Sequence, residues 1–172
     1  STFKKYRFNI WQQSSTPWLD GSDWAANACD ESEIESLHGK DAYLGLDMSL
    51  ARDMSAISLI VPVARDDYDG KHSDPEAKIY YQLNKMWITR AAVERWSHLI
   101  PQYDEWAASG FLEIHEDRQL YFTQIVEDII EFCGPYRIMT VTFDPAYAQM
   151  VSEQLAERLN CERIEFRQTI ME

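Results

Sequence analysis

Long apolar runs are missing from this 172-residue chain, and none approaches the ~20 residues that a membrane-spanning helix needs. No apolar stretch follows Ser1-Thr2-Phe3-Lys4-Lys5 as it would in a signal peptide, so the expected compartment is the cytoplasm. Paired cysteines are missing too. Cys29, Cys133 and Cys161 are odd in number, far apart and in no C-x-x-C pair, which argues against a zinc knuckle or a disulfide framework. The four histidines, His38, His72, His98 and His115, form no H-x-x-x-H pair, so a histidine-based metal site is not expected. Phosphate loops are absent as well. Gly39-Lys40 and Gly70-Lys71 lack both the upstream glycine and the following Ser or Thr of an ATP site. No G-x-S-x-G elbow or G-x-G-x-x-G loop occurs. Positive charge is scarce: the formal net charge is −13, which argues against passive nucleic-acid binding, since phosphate contacts need clustered Lys and Arg. It leaves room for a nuclease whose acids bind metal while other domains or subunits hold the DNA.

What is present is a core. Hydrophobic residues make up 45% of the chain and aromatics 13%, enough for one folded domain with a tail. Residues 1–41 read as an aromatic-rich lead-in arm, with Phe3, Tyr6, Phe8, Trp11, Trp18 and Trp24 in no regular period. Short helices are expected at about 23–29 and 30–37.

From residue 42 onward the pattern predicts an α/β fold. Strands are expected at 42–47, 55–62 and 79–87, with a charged, turn-rich loop over 65–78. With no helix between them, these strands imply an antiparallel meander. Helices are expected at 90–99, 101–109 and 122–132, and a short extended piece at 111–115. A strand at 137–143, a helix at 145–159 and a strand at 162–167 imply parallel pairing through right-handed crossovers.

The chemistry lies in acids at strand ends. In Gly45-Leu46-Asp47-Met48-Ser49, a buried strand ends in a carboxylate, which is costly to hold unless it is solvated, paired or metal-bound. Asp47 can also be a plain turn residue bonding local amides. Asp53 follows in the turn before the second strand, where acids are ordinary. Asp144 ends a later strand in Phe143-Asp144-Pro145, where it is also suited to cap a helix that starts at Pro145. The same position, between a parallel strand and a helix, is where the active sites of α/β sheets lie. Two strand-end carboxylates from one sheet can converge on a divalent cation and suggest metal-dependent phosphodiester chemistry.

The meander, the α-β-α-β continuation and these acids resemble the ribonuclease H-like fold, a mixed sheet with flanking helices. The wording is similar to the large terminase subunit of tailed bacteriophages. The carrying residues are Phe8-Asn9-Ile10-Trp11, Trp18-Leu19, Tyr43-Leu44-Gly45-Leu46-Asp47-Met48-Ser49 with Asp53, Pro101-Gln102-Tyr103-Asp104-Glu105-Trp106 ahead of Gly110, the strand ending at Asp144, and Arg167-Gln168. The resemblance implies that residues 1–41 end a linker and residues 42–172 form a nuclease domain. It implies an endonuclease that cuts concatemeric double-stranded DNA during packaging, in a bacterial host cytoplasm, beside a portal and a small terminase subunit. It implies two Mg²⁺ or Mn²⁺ ions held by Asp47 and Asp144, with Asp53 matching an additional acid of some members. The family places a further acid after the last core strand. This chain ends at Glu172 with no counterpart, so the resemblance implies a domain lacking its C-terminal part and its ATPase half.

Three rivals stand beside this reading. Another ribonuclease H-like enzyme, a junction resolvase or an integrase, is disfavoured by the aromatic arm. An actin-like or sugar-kinase-like ATPase would want glycine where Met48 stands. A non-catalytic interaction module of a packaging motor would suit the acidity and the missing acid.

Overall fold

The computed structural model describes residues 21–49, 51, 53–64, 78–96, 98 and 102–166. The chain divides into two units, Ser1–Leu37 and His38–Glu172. In the first, α1 (Gly21–Ala25) and α2 (Glu31–Ser36) are short helices. Asp30 starts α2 with a capping box: its carboxylate accepts the Glu33 N–H, and its own N–H donates to the Glu33 side chain. The sequence Asp30-x-x-Glu33 therefore fixes where that helix begins. The arm over residues 1–20 lies outside the described residues.

The second unit carries one six-stranded sheet in the order β4-β3-β2-β1-β5-β6. Its strands are β1 (Asp41–Asp47), β2 (Ser55–Ala64), β3 (Lys78–Thr89), β4 (Leu112–His115), β5 (Arg137–Phe143) and β6 (Glu162–Glu165). β1, β2 and β3 form the antiparallel meander, while β5 pairs in parallel with β1 and β6 with β5. The short piece at 111–115 is an edge strand, paired in parallel with β3. The helices are α3 (Arg90–Trp96), α4 (Tyr103–Ala108), α5 (Phe122–Cys133) and α6 (Pro145–Leu159). β5 and α6 begin and end at the residues that the sequence pattern marks. α3 is described over Arg90–Trp96, and β6 ends at Glu165, before the expected 167. Of the loop at 65–78 only Lys78 is described, and it opens β3.

Parity sorts the side chains. Ala42, Leu44 and Leu46 of β1 and Ile57, Leu59 and Val61 of β2 are all buried on one face, as a period of two requires. α5 and α6 cover that face with Ile125, Val126, Ile129, Val151 and Leu155, all at most 1% exposed. Truncating a residue such as Leu44 there costs about 2–5 kcal/mol. On the opposite face, near the β3–β4 edge, α3 and α4 form a satellite core in which Ile88, Ala92, Val93, Tyr103 and Leu112 are buried together. α4 ends in a Schellman motif: the Phe111 N–H donates to the Trp106 carbonyl, and Gly110 takes φ +79°, a value that disfavours any residue with a Cβ.

One irregularity matters for the site. β5 runs beside β1 with Ala42 opposite Ile138 but Tyr43 opposite Thr140, so Met139 is an extra residue in the ladder.

Candidate active site

β1 and β5 end side by side. Beyond the bulge the pairs are Leu44 with Val141, Gly45 with Thr142 and Leu46 with Phe143. The next step of the same register sets Asp47 beside Asp144, on neighbouring parallel strands and on one face of the sheet. Neighbouring strands lie about 4.8 Å apart. Both acids line one cleft of about 370 Å³. Ser58, Asn84 and Thr142 add polar side chains to its lining, and Gly45, Met86 and Phe166 line it as well.

Several devices hold the ends of these strands. Just beyond Asp47, the Ser49 N–H donates to Ser55 Oγ, and the Ser55 hydroxyl donates back to the Ser49 carbonyl, both at 2.9 Å. Ser55 is fully buried, so this pair closes the β1–β2 turn at a fixed width. The Thr89 hydroxyl donates to the Ala51 carbonyl at 3.4 Å and ties the turn to the end of β3. At the far end of the same two strands, Arg137 pairs with Asp41 and holds its carboxyl below the usual range. Next to Asp144, the Arg163 guanidinium lies 4.9 Å above the Phe143 ring and donates to Ser152 Oγ at 3.1 Å, joining β6 to α6. The Phe166 N–H donates to the Phe143 carbonyl at 2.8 Å, which carries the β5–β6 pairing to the mouth of the cleft.

The expected site residues separate into two groups. Asp47 and Asp144 come together. Asp47 is exposed and Asp144, at the N-cap position of α6, is half-buried. Asp53 stands at the same end of the sheet but does not line the cleft. Its carboxylate accepts the Met54 N–H at 2.8 Å. Its charge also raises the Tyr103 hydroxyl, second to the effect of burial. Arg52 lies outside the described residues. Three residues past Asp144, Tyr147 takes φ +64°, a left-handed conformation in a non-glycine residue. Such values cost of order 1–3 kcal/mol and cluster at functional sites.

The donor set suits a hard divalent cation: two carboxylates on adjacent strand ends, with Ser58, Asn84 and Thr142 as further oxygen donors in a cleft whose remaining lining is apolar. Sequence reasoning missed a second group. Glu113, His115 and Asp128 each bring a ligand atom within 4.8 Å of the others. The one local signal for it is Glu113-x-His115, two residues on one face of a strand.

A six-stranded mixed sheet of this topology, with two acids on the ends of its first and central parallel strands, defines the ribonuclease H-like class. A family described as terminase large subunit, endonuclease domain, matches residues 1–172. The chain belongs to that family of nuclease domains, which sets aside the actin-like ATPase. Among solved structures, the large terminase of HK97 bacteriophage is similar over 98% of this chain, with 18% identity and a TM-score of 0.60. This chain spans 32% of the length of that protein. No curated protein matches the chain. No helix among the described residues is long and apolar enough to cross a membrane.

Proposed function

We propose that this domain is a divalent-metal-dependent endonuclease that cuts concatemeric double-stranded DNA within a phage packaging motor. The observation that carries the reading is the register that sets Asp47 beside Asp144 on one face of the sheet, in a cleft that both acids line. Family membership supports the nuclease activity, and the donor set supports Mg²⁺ or Mn²⁺ as its cofactor.

In the proposed mechanism Asp47 and Asp144 would hold the cations from adjacent strands. Bound there, such ions would supply Lewis acidity to activate a water and positive charge to stabilise the leaving 3′ oxygen. Ser58, Asn84 and Thr142 offer hydrogen bonds to the phosphate backbone from the cleft lining. Met86 and Phe166 limit water beside them. Gly45 leaves room for the backbone to approach. Asp53 is assigned an outer place, acting through solvent, because its carboxylate already accepts a local amide on the Tyr103 side. Double-stranded DNA is the substrate, and the portal and small terminase subunit are the proposed partners.

The test is cleavage of supercoiled plasmid in millimolar Mn²⁺. The wild-type chain is expected to nick, and Asp47→Asn and Asp144→Asn to lose at least about 100-fold, with Asp53→Asn losing less. Cleavage that survives EDTA, or that is untouched by either substitution, would sink the reading. A wild-type chain that takes up Mn²⁺ without cutting would point to the interaction module instead.

A further inference from the structure

We propose that Glu113, His115 and Asp128 form a second cation site, for a first-row transition metal of the Zn²⁺ type, on the opposite face of the sheet from Asp47 and Asp144. The topology brings them together. In the β3–β4 ladder Glu113 stands opposite Trp87 and His115 opposite Thr89. Both therefore share the face of Trp87, which α5 covers, and α5 supplies Asp128. Asn84 and Met86, which line the Asp47–Asp144 cleft, belong to the other parity of β3. The proposal thus does not depend on the nuclease reading.

Three observations point to a ligand. One ligand atom from each residue lies within 4.8 Å of the other two, a spacing one ion can gather with small side-chain shifts. The His115 side chain is only 8% exposed, and its Nε2 is buried without a hydrogen-bond partner. That nitrogen stands 3.3 Å from Glu113 Oε1, close enough for an ion pair yet making no hydrogen bond. An unsatisfied buried polar atom is costly in a native fold, and a metal would satisfy it.

The third observation is the support behind the acids. The Trp87 indole N–H donates to Asp128 Oδ2 at 3.1 Å, and Trp87 is fully buried. Lys85 Nζ lies 3.5 Å from Glu113 Oε2. Each acid is thus oriented through one oxygen by an outer partner, the arrangement that tunes metal ligands. One imidazole nitrogen with two carboxylates favours Zn²⁺ over Mg²⁺. The Glu113 side chain is 42% exposed, which leaves a path for entry and a position for water. Bound there, the ion would clamp β4, a four-residue edge strand, to α5.

The test uses the full chain carrying Asp47→Asn and Asp144→Asn, stripped with EDTA and titrated with Zn²⁺. Calorimetry should show one saturable equivalent. In imidazole ¹⁵N spectra the His115 ring should shift while the remaining histidines stay put. His115→Gln, and independently Glu113→Gln at its half-exposed position, should weaken binding by at least about 10-fold, with circular dichroism confirming the fold. No saturable uptake would overturn the proposal. Uptake unchanged in both variants, or a His115 ring that does not move, would overturn it equally.

Discussion

Replacing Asp144 by asparagine separates two jobs that one carboxylate can do. As an N-cap, Asn serves about as well as Asp, whereas Ala costs about 1 kcal/mol. As a metal ligand, Asn lacks the charge. Without metal, two carboxylates on neighbouring strand ends about 4.8 Å apart repel each other. Asp47 is exposed, so the water-like end of the range applies and the repulsion is about 1 kcal/mol. For a domain of this size that corresponds to about 2–4 °C in Tm. Saturation with Mn²⁺ at about 100 times Kd would add about 2.7 kcal/mol to the wild type. Metal-free melting should therefore rank Asp144→Asn at or a few degrees above the wild type and Asp144→Ala below it. Adding Mn²⁺ should raise the wild type by about 5–10 °C and move neither variant. Differential scanning fluorimetry at fixed ionic strength reads all six values. If only Asp144→Ala melts lower and both variants keep the Mn²⁺ shift, Asp144 is a helix cap and the two-acid site is wrong.

Other expectations are independent of that one. At Gly45 an added Cβ would meet only the Ser58 carbonyl at 3.7 Å, an ordinary contact, so Gly45→Ala should keep or slightly raise Tm. Because the methyl group would intrude on the cleft, plasmid cleavage should slow by about 10- to 100-fold while Mn²⁺ binding is retained. Asn160 ends α6 at φ +51°, with the Cys161 N–H on the Ala156 carbonyl at 3.1 Å. Asn160→Gly should hold or raise the urea midpoint and Asn160→Ala should lower stability by about 1 kcal/mol; equal midpoints would refute the capping argument. Arg137 and Arg158 hold the carboxyls of Asp41 and Glu127 below their ordinary values of 3.8 and 4.5. Depressed carboxylates contribute stability above the unfolded-state values and lose it as pH falls through the lower folded-state ones. Melting between pH 7 and about 3 should show a shallower acid limb in a chain carrying Asp41→Asn and Glu127→Gln, and an unchanged limb would count against both pairs.

Much of this architecture is legible in the sequence because local signals agree with the tertiary outcome. Gly134-Pro135 and Asp144-Pro145 bracket β5 so tightly that its ends could be read directly, and apolar spacing did the same for α5. The acids at 47 and 144 were visible as strand-end carboxylates. Their being in step was not, because that depends on an extra residue at Met139, and no local composition marks it. The pairing of β4 was equally hidden, since four residues at a sheet edge carry too little periodicity to name a partner. The Glu113–His115–Asp128 group escaped for a related reason. A search for histidine pairs at helical spacing cannot see a strand histidine meeting a helix acid across the fold.

Met139 also makes the site sensitive to chain length upstream of it. A strand pleat alternates sides at every residue, so its parity works like a reading frame. Were Met139 paired in a regular ladder instead of bulging, Phe143 would fall beside Asp47, while Asp144 would turn toward the layer of α5 and α6. Deleting Met139 would straighten the ladder, with Tyr43–Thr140 following Ala42–Ile138 directly, and leave the two acids in step. Conversely, a residue inserted between Thr140 and Phe143 would push Phe143 beside Asp47 and carry Asp144 out of phase. The alignment of the two acids is therefore a property of residue counting along β5, and sequence changes in that strand should be judged first by whether the bulge can absorb them.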